Sequence, residues 1–276
     1  MKELPQIELS DSKETTTDFK GILKNAFVDV EAKIIKQPVA ISIGESEYKQ
    51  SFYPIPFGSY GDYSCIVGSS KSTKTFLKSA LIAAYIGGKS NNYFPNMKGH
   101  DSEGKYVIEF DTEQSKFHSQ RVFRRVCEMV GNNTPFYKPF SLREYSPKER
   151  FEFIDWVIME SEYRNKIGLI SIDGFVDLVT DFNSLEQATN LQESLLKWTT
   201  LGNLHITGVL HKNFGTSKPV GHIGSSVLKK AETVVFVERE DNITKVKCEY
   251  TRNYPFDNFE FRINRDWLPE LNDSIL

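Results

Sequence analysis

Between residues 64 and 210, short apolar runs alternate with amphipathic stretches, and this alternation constrains the fold more than any single motif does. Strands are expected at SCIVG (64–68), YVIEF (106–110), GLISI (168–172) and HITGVL (205–210). Helices are expected over 75–88, 115–131, 147–164 and 185–202, where apolar residues recur at helical spacing. A strand that is apolar throughout is buried on both faces, so the pattern predicts an α/β fold with a mostly parallel sheet and helices on both sides. Three further strands, 233–239, 244–250 and 259–263, have no helices between them and should pair antiparallel at one edge. PVAISIG (38–44) reads as a strand, and YPIPFGSYGD (53–62) as a loop rich in turn residues.

Three parts are expected. Residues 1–34 form a polar tail and a short helix that Asp18 could cap, 35–266 form the main domain, and 267–276 form a second tail. No apolar run approaches the length of a membrane span, and mean hydropathy is −0.40. The start, MKELPQIELSDSKE, is acidic and has no apolar stretch of the secretory type, so a cytoplasmic protein with no membrane partner is expected. Cys65, Cys127 and Cys248 are too scattered for a metal site and read as core.

The sharpest local feature is Gly68-Ser69-Ser70-Lys71-Ser72-Thr73-Lys74-Thr75, lying between an apolar strand and a helix. It fits the phosphate-loop pattern G-x-x-x-x-G-K-[ST], except that Thr73 replaces the second glycine. In such a loop, backbone N–H groups converge on phosphate oxygens at a helix N-terminus. Lys74 would reach the β/γ-phosphates of ATP and Thr75 would ligate Mg²⁺. A Lys/Ser-rich connection with no nucleotide is the plainer alternative, but the strand–loop–helix setting favours the phosphate loop. Thr73 should either take an ordinary conformation or strain the loop, because a β-branched residue resists angles that glycine tolerates.

Ligands of parallel sheets sit at the carboxyl ends of the strands, and two such ends carry acids here. GLISI runs into Asp173, the expected position for the acid that holds Mg²⁺. YVIEF runs into Asp111-Thr112-Glu113, where Glu113 could orient an attacking water. Both acids could instead merely cap the following helix. Asp173, Asp177 and Asp181 recur every fourth residue, which reads as a solvated helix face rather than a metal cluster. A metal-dependent nuclease centred on Asp111 and Glu113 is a minor alternative that leaves the phosphate loop without a role.

HITGVL ends in His211-Lys212-Asn213, and a polar group there could sense the γ-phosphate. Net charge is −3, so bulk electrostatics gives no reason to expect a nucleic-acid binder. From Ser194 to Ala231, however, the chain has no acid. Lys212, Lys218, His222, Lys229 and Lys230 fall in this window, and 214–226 reads as a flexible basic loop suited to a phosphate backbone. Arg121, Arg124 and Arg125 on the expected helix 115–131 read as a charged, solvated face.

Five ordered motifs, GSSKSTKT, FDTEQS, LISIDGFVDL, VLHKN and TRNYPF, make the chain resemble the RecA-type P-loop ATPases. Within that class it is similar to hexameric DnaB-type and plasmid replicative helicases and to AAA-labelled ATPases of Bacteroides mobilizable elements. The resemblance spans residues 35–265 and implies a RecA-like core with sheet order 5-1-4-3-2. It also implies Mg²⁺-ATP hydrolysis, action on single-stranded DNA, a homo-oligomer such as a hexamer, and a primase or initiator partner. Glu113 is implied to polarise water, Asp173 to coordinate Mg²⁺, and His211 to couple hydrolysis to DNA-contacting loops. Arg252 is implied to act as an arginine finger in a neighbouring subunit. An ATP-binding scaffold or recombination mediator with little hydrolysis is the alternative within the same fold.

Overall fold

The computed structural model describes residues 17–33, 36–212 and 221–272. The chain divides into two compact units, residues 1–36 and 37–276. In the first unit, helix α1 (Phe19–Ala26) starts where expected, with the Asp18 carboxylate accepting the Gly21 N–H at 2.9 Å.

The second unit holds strands β1 (Val39–Tyr48), β2 (Ser51–Ser59), β3 (Tyr63–Gly68), β4 (Met97–Gly99), β5 (Tyr106–Asp111) and β6 (Tyr137–Ser141). It continues with β7 (Ile167–Asp173), β8 (His205–His211), β9 (Thr233–Glu240), β10 (Ile243–Thr251), β11 (Phe259–Ile263) and β12 (Pro269–Leu271). Its helices are α2 (Lys74–Ile86), α3 (Lys116–Val130), α4 (Pro147–Met159), α5 (Leu185–Gly202) and α6 (Gly221–Lys230). A nine-stranded sheet runs β12-β11-β10-β9-β3-β8-β7-β5-β6. Its parallel centre, β9-β3-β8-β7-β5, is the expected 5-1-4-3-2 order, and β10, β11 and β12 continue it antiparallel. Pairing of β12 with β11 carries the sheet past residue 266.

Two apolar layers sandwich this sheet. One holds Leu77, Leu81 and Tyr85 of α2, Val126 of α3, and Ile41, Ile43 and Phe57 of the small sheet β2-β1-β4. The other holds Ile154 and Ile158 of α4, Leu191 and Trp198 of α5, and Ile223 and Val227 of α6. Helix ends follow local chemistry. Ser146 and Glu149 form a reciprocal capping box ahead of Pro147, and Gly131 closes α3 in a left-handed conformation (φ 87°).

Several expectations are corrected. Residues 51–59 form a strand, because Pro54 and Pro56 sit on the outer strand of the small sheet, where a missing N–H costs no ladder bond. Strand β6 is an addition to the expected elements: it is short and carries Pro139, which is tolerated at the sheet's edge. The helix from 147 stops at Met159. The stretch 214–226 is not all loop: α6 starts at Gly221, and its Ile223 and Val227, one turn apart, are buried despite the Gly/Ser-rich surroundings. Residues 213–220, including Lys218, lie outside the described residues.

Candidate functional site

Gly68 ends β3, and its lack of a side chain is required: a Cβ there would lie 2.5 Å from both Ser72 Oγ and the Val237 carbonyl. The chain then turns through Ser69, the exposed Ser70 and Lys71, and the buried Ser72 into α2. Thr73, the N-cap of α2, is left-handed with φ 67°. A β-branched residue in that region is strained, and the site holds it there by a hydroxyl contact with Thr244 of β10 (2.7 Å). Thr73 therefore takes the backbone conformation that the expected glycine would supply. Thr75, the second residue of α2, is half-buried.

The Lys74 side chain folds back beneath this loop. Its Nζ donates to the carbonyls of Gly68 (3.0 Å) and Ser69 (2.6 Å) and lies 3.4 Å from His211 Nδ1. Burial pushes its pKa down to about 8, although Asp173 and Glu113 pull the other way. On the far side of the His211 ring, Nε2 is 3.5 Å from Glu113 Oε2. Lys74 has no acceptor role, so Nδ1 accepts from the ammonium and Nε2 carries the proton that faces Glu113. The His211 contact holds the Glu113 carboxyl below its ordinary pKa, so it is ionised at neutral pH even though partial burial opposes this. Lys74, His211 and Glu113 thus converge from the ends of β3, β8 and β5, while Asp173 ends β7 in register with Asp111.

Asp173 is buried and engaged in a way the sequence did not signal. Its Oδ2 accepts from Lys78 Nζ at 2.7 Å, and Lys78 also lies 2.7 Å from Glu109 Oε1. Burial disfavours the Lys78 charge, yet Asp173 and Glu109 outweigh that and raise its pKa. Lys78 stands one turn after Lys74 on α2, so helical spacing from the phosphate loop was the signal available for finding it.

Two observations bear on bound groups. Ser72 Oγ is buried with no hydrogen-bond partner, and the Lys74 ammonium is buried against neutral acceptors, which suits a phosphate entering the loop. Among the described residues, no set of three His, Cys, Asp or Glu could hold a metal alone. One carboxylate and one hydroxyl beside phosphate oxygens is the environment Mg²⁺ accepts, and Asp173 with Thr75 fits that description.

The remaining site expectations separate. Asp111 accepts four hydrogen bonds, from the amides of Glu113 (3.0 Å) and Gln114 (2.9 Å), the Gln114 side chain (3.2 Å) and Ser119 Oγ (2.9 Å). It is a buried cap, and the nuclease reading loses its central acid. Asp173, Asp177 and Asp181 do not share a helix face: they sit at a strand end, in a 3-10 turn (Phe175–Leu178) and in a loop. Arg125 is half-buried rather than part of a solvated face. It stacks 3.6 Å from the Phe76 ring centroid and donates to Ser79 Oγ, which joins α3 to α2. Lys212 pairs with Glu238 of β9 at 2.5 Å, so the stretch that is acid-free in sequence meets an acid in space. His222, Lys229 and Lys230 are exposed on α6. Together with Arg252 and Tyr250, His222 and Lys229 line a cavity of about 760 Å³.

Arg252 follows β10 and sits at the opposite end of the sheet from the phosphate loop, where Thr251 pairs with Thr233 and Thr233 with Ser64. Its guanidinium donates to Asp62 Oδ1 (3.1 Å) and the Lys230 carbonyl (2.5 Å). A cluster missed in the sequence surrounds it. Glu232 accepts from the Ser59 amide and hydroxyl, each at 2.6 Å, and from Asn253 Nδ2 at 2.7 Å. His205, fully buried, has its pKa pushed down to about 4 by desolvation.

No protein-family model matches the chain, and no curated protein matches it by sequence. Its fold does match solved structures. The crystal structure of the RadB recombinase superposes with a TM-score of 0.52 at 16% identity, covering 78% of this chain and 92% of that one. The fold is RecA-like: an α/β core with a mostly parallel sheet and antiparallel strands at one edge. Among the described residues no helix is long and apolar enough to cross a membrane.

Proposed function

We propose that this chain is a Mg²⁺-ATP-dependent ATPase that acts on single-stranded DNA, as a ring-forming replicative helicase or DNA-processing motor of a mobile element. The observation that carries the reading is the convergence of Lys74, His211 and Glu113 at the carboxyl edge of the parallel strands beside a loop with an unpartnered buried hydroxyl. Lys74 and the amides of residues 69–73 would bind the β- and γ-phosphates of ATP, with Gly68 giving them room. Thr75 and Asp173 would hold Mg²⁺, which supplies charge neutralisation on the phosphates. Glu113, ionised at neutral pH, would orient the attacking water. His211, between Lys74 and Glu113, would register phosphate loss and pass it to Lys212 and the segment through Lys218.

Arg252 lies too far round the sheet to serve its own loop, so its role as a finger requires a second copy. A homo-oligomer, expected to be a hexamer, follows from that role, with DNA contacted by Lys212, Lys218, His222, Lys229 and Lys230. Residues 1–34 would form a tail and a linker helix, 35–266 the ATPase domain and 267–276 a C-terminal tail. A cytoplasmic setting and a primase or initiator partner complete the reading. The left-handed Thr73 favours a second reading, an ATP-binding scaffold or recombination mediator that turns over slowly.

Steady-state ATP hydrolysis with and without single-stranded DNA separates the two. The motor reading expects DNA-stimulated turnover that falls about 10²-fold or more in Lys74→Ala and roughly 10³-fold in Arg252→Ala. Nucleotide binding without turnover in the wild type would transfer the assignment to the scaffold. Turnover lost in Lys74→Ala alone would remove Arg252 from the site.

A further inference from the structure

Lys78 is a buried cation for which neither the helical surface nor the phosphate loop has a use. Its side chain is 0% exposed, as is that of Glu109, and that of Asp173 is 4% exposed. The ammonium lies 2.7 Å from Asp173 Oδ2 and 2.7 Å from Glu109 Oε1. The second Glu109 oxygen is held by the Tyr137 hydroxyl of β6. Tyr137, Glu109, Lys78 and Asp173 therefore form one buried line across β6, β5, α2 and β7. Among the described residues, no hydrogen bond reaches the Asp173 Oδ1 atom.

Two buried carboxylates facing one gap need a shared proton or a counter-charge, and a fixed ammonium or a divalent metal supplies the latter. We propose that the Lys78 ammonium is a resident counter-cation that fills the position between Asp173 and Glu109 which a free divalent ion would otherwise take. Glu109 and Tyr137 anchor it, and it leaves a single Asp173 oxygen without a hydrogen bond from the described residues. As a consequence Mg²⁺ enters only in company with nucleotide phosphates, a step that rests on the ATPase reading. Lys78 is thus a positioning residue: it acts on the metal through Asp173.

Thermal melting of the full chain, without nucleotide, tests this in EDTA, MgCl₂ and MnCl₂. The wild type should melt at the same temperature in all three. Lys78→Met leaves two buried carboxylates unpaired, so its melting temperature should fall by roughly 10 °C in EDTA. Millimolar Mn²⁺ or Mg²⁺ should recover at least half of that loss, because the gap has become a metal site. Lys78→Met/Glu109→Gln keeps the net charge of the wild type and should melt near it, with no response to metal. If Lys78→Met does not fold in EDTA, refolding in Mn²⁺ alone supports the proposal, and failure in both media counts against it. A single variant indifferent to metal, or a wild type stabilised by Mg²⁺ alone, would overturn it. Wild type that ATP plus Mg²⁺ fails to stabilise, beside a metal-rescued Lys78→Met, would instead remove the ATPase reading and leave the counter-cation in place.

Discussion

The two ends of the central sheet are built on opposite plans. In the loop that follows β3, groups are held short of satisfaction: Ser72 Oγ has no partner, Lys74 is buried against neutral acceptors, and Thr73 is left-handed. At the other end, Glu232 takes three donors, Asp62 accepts from Arg252, and His205 Nδ1 donates to the Ser59 carbonyl, although its buried Nε2 has no partner. Both ends concentrate buried polar atoms, so burial alone does not mark a ligand site. Unpaired atoms occur at both ends too, and what sets the loop end apart is an unpaired hydroxyl beside a buried ammonium that meets only neutral acceptors, a cost that a phosphate removes.

The largest effect expected from this contrast is structural. Glu232→Ala strands the Ser59 amide, the Ser59 hydroxyl and Asn253, and should lower unfolding stability by about 3 kcal/mol. Urea denaturation measures it, and nucleotide affinity should be unchanged. A variant that stays stable but binds nucleotide poorly would collapse the distinction between the two ends.

Next comes a pH effect at the loop end. The Lys74 pKa is depressed to about 8 in the folded protein, so the ammonium is charged below that pH and neutral above it. Its burial cost is present in full below pH 8 and is relieved between there and its ordinary value as pH rises. Phosphate binding needs the charged form, so nucleotide affinity should fall above pH 8 by up to about tenfold per unit. Titrations at pH 7, 8 and 9 check the sign, and affinity that rises with pH would place the phosphate away from Lys74.

The smallest effect concerns Thr73. Thr73→Gly relieves the left-handed strain and loses the Thr244 contact, for a net stabilisation of about 1 kcal/mol. Thr244→Val should then destabilise the wild type but leave Thr73→Gly almost unaffected. A double-mutant cycle reads this coupling, and additivity would mean that the hydroxyl pair does not hold the loop.

Legibility followed the same divide. Apolar periodicity announced the parallel core, the resemblance of the ordered motifs implied its strand order, and the phosphate loop and strand ends suggested Lys74, Glu113 and Asp173 as neighbours. Where a residue's partner is distant in sequence, nothing local could reveal it: Lys78 meets Glu109 and Asp173, Glu232 meets Ser59, and Lys212 meets Glu238. Arg125 looked solvated beside Arg121 and Arg124 until Phe76 supplied a surface for it. Composition misled twice, in both cases through residues taken as breakers. Prolines in 51–59 and glycines near 221 sit in a strand and at a helix start, because an edge and a helix end tolerate them.

Those prolines have a further consequence. The outer strands of the large sheet, β6 and β12, contain Pro139 and Pro269, and β2, an outer strand of the small sheet, contains Pro54 and Pro56. None of these margins offers an incoming strand an unbroken row of donors, which guards a nine-stranded sheet against fibrillar growth. At these three margins, copies of the chain that assemble would have to meet through helix faces, loops and side chains, contacts that can be made and released without unravelling either sheet.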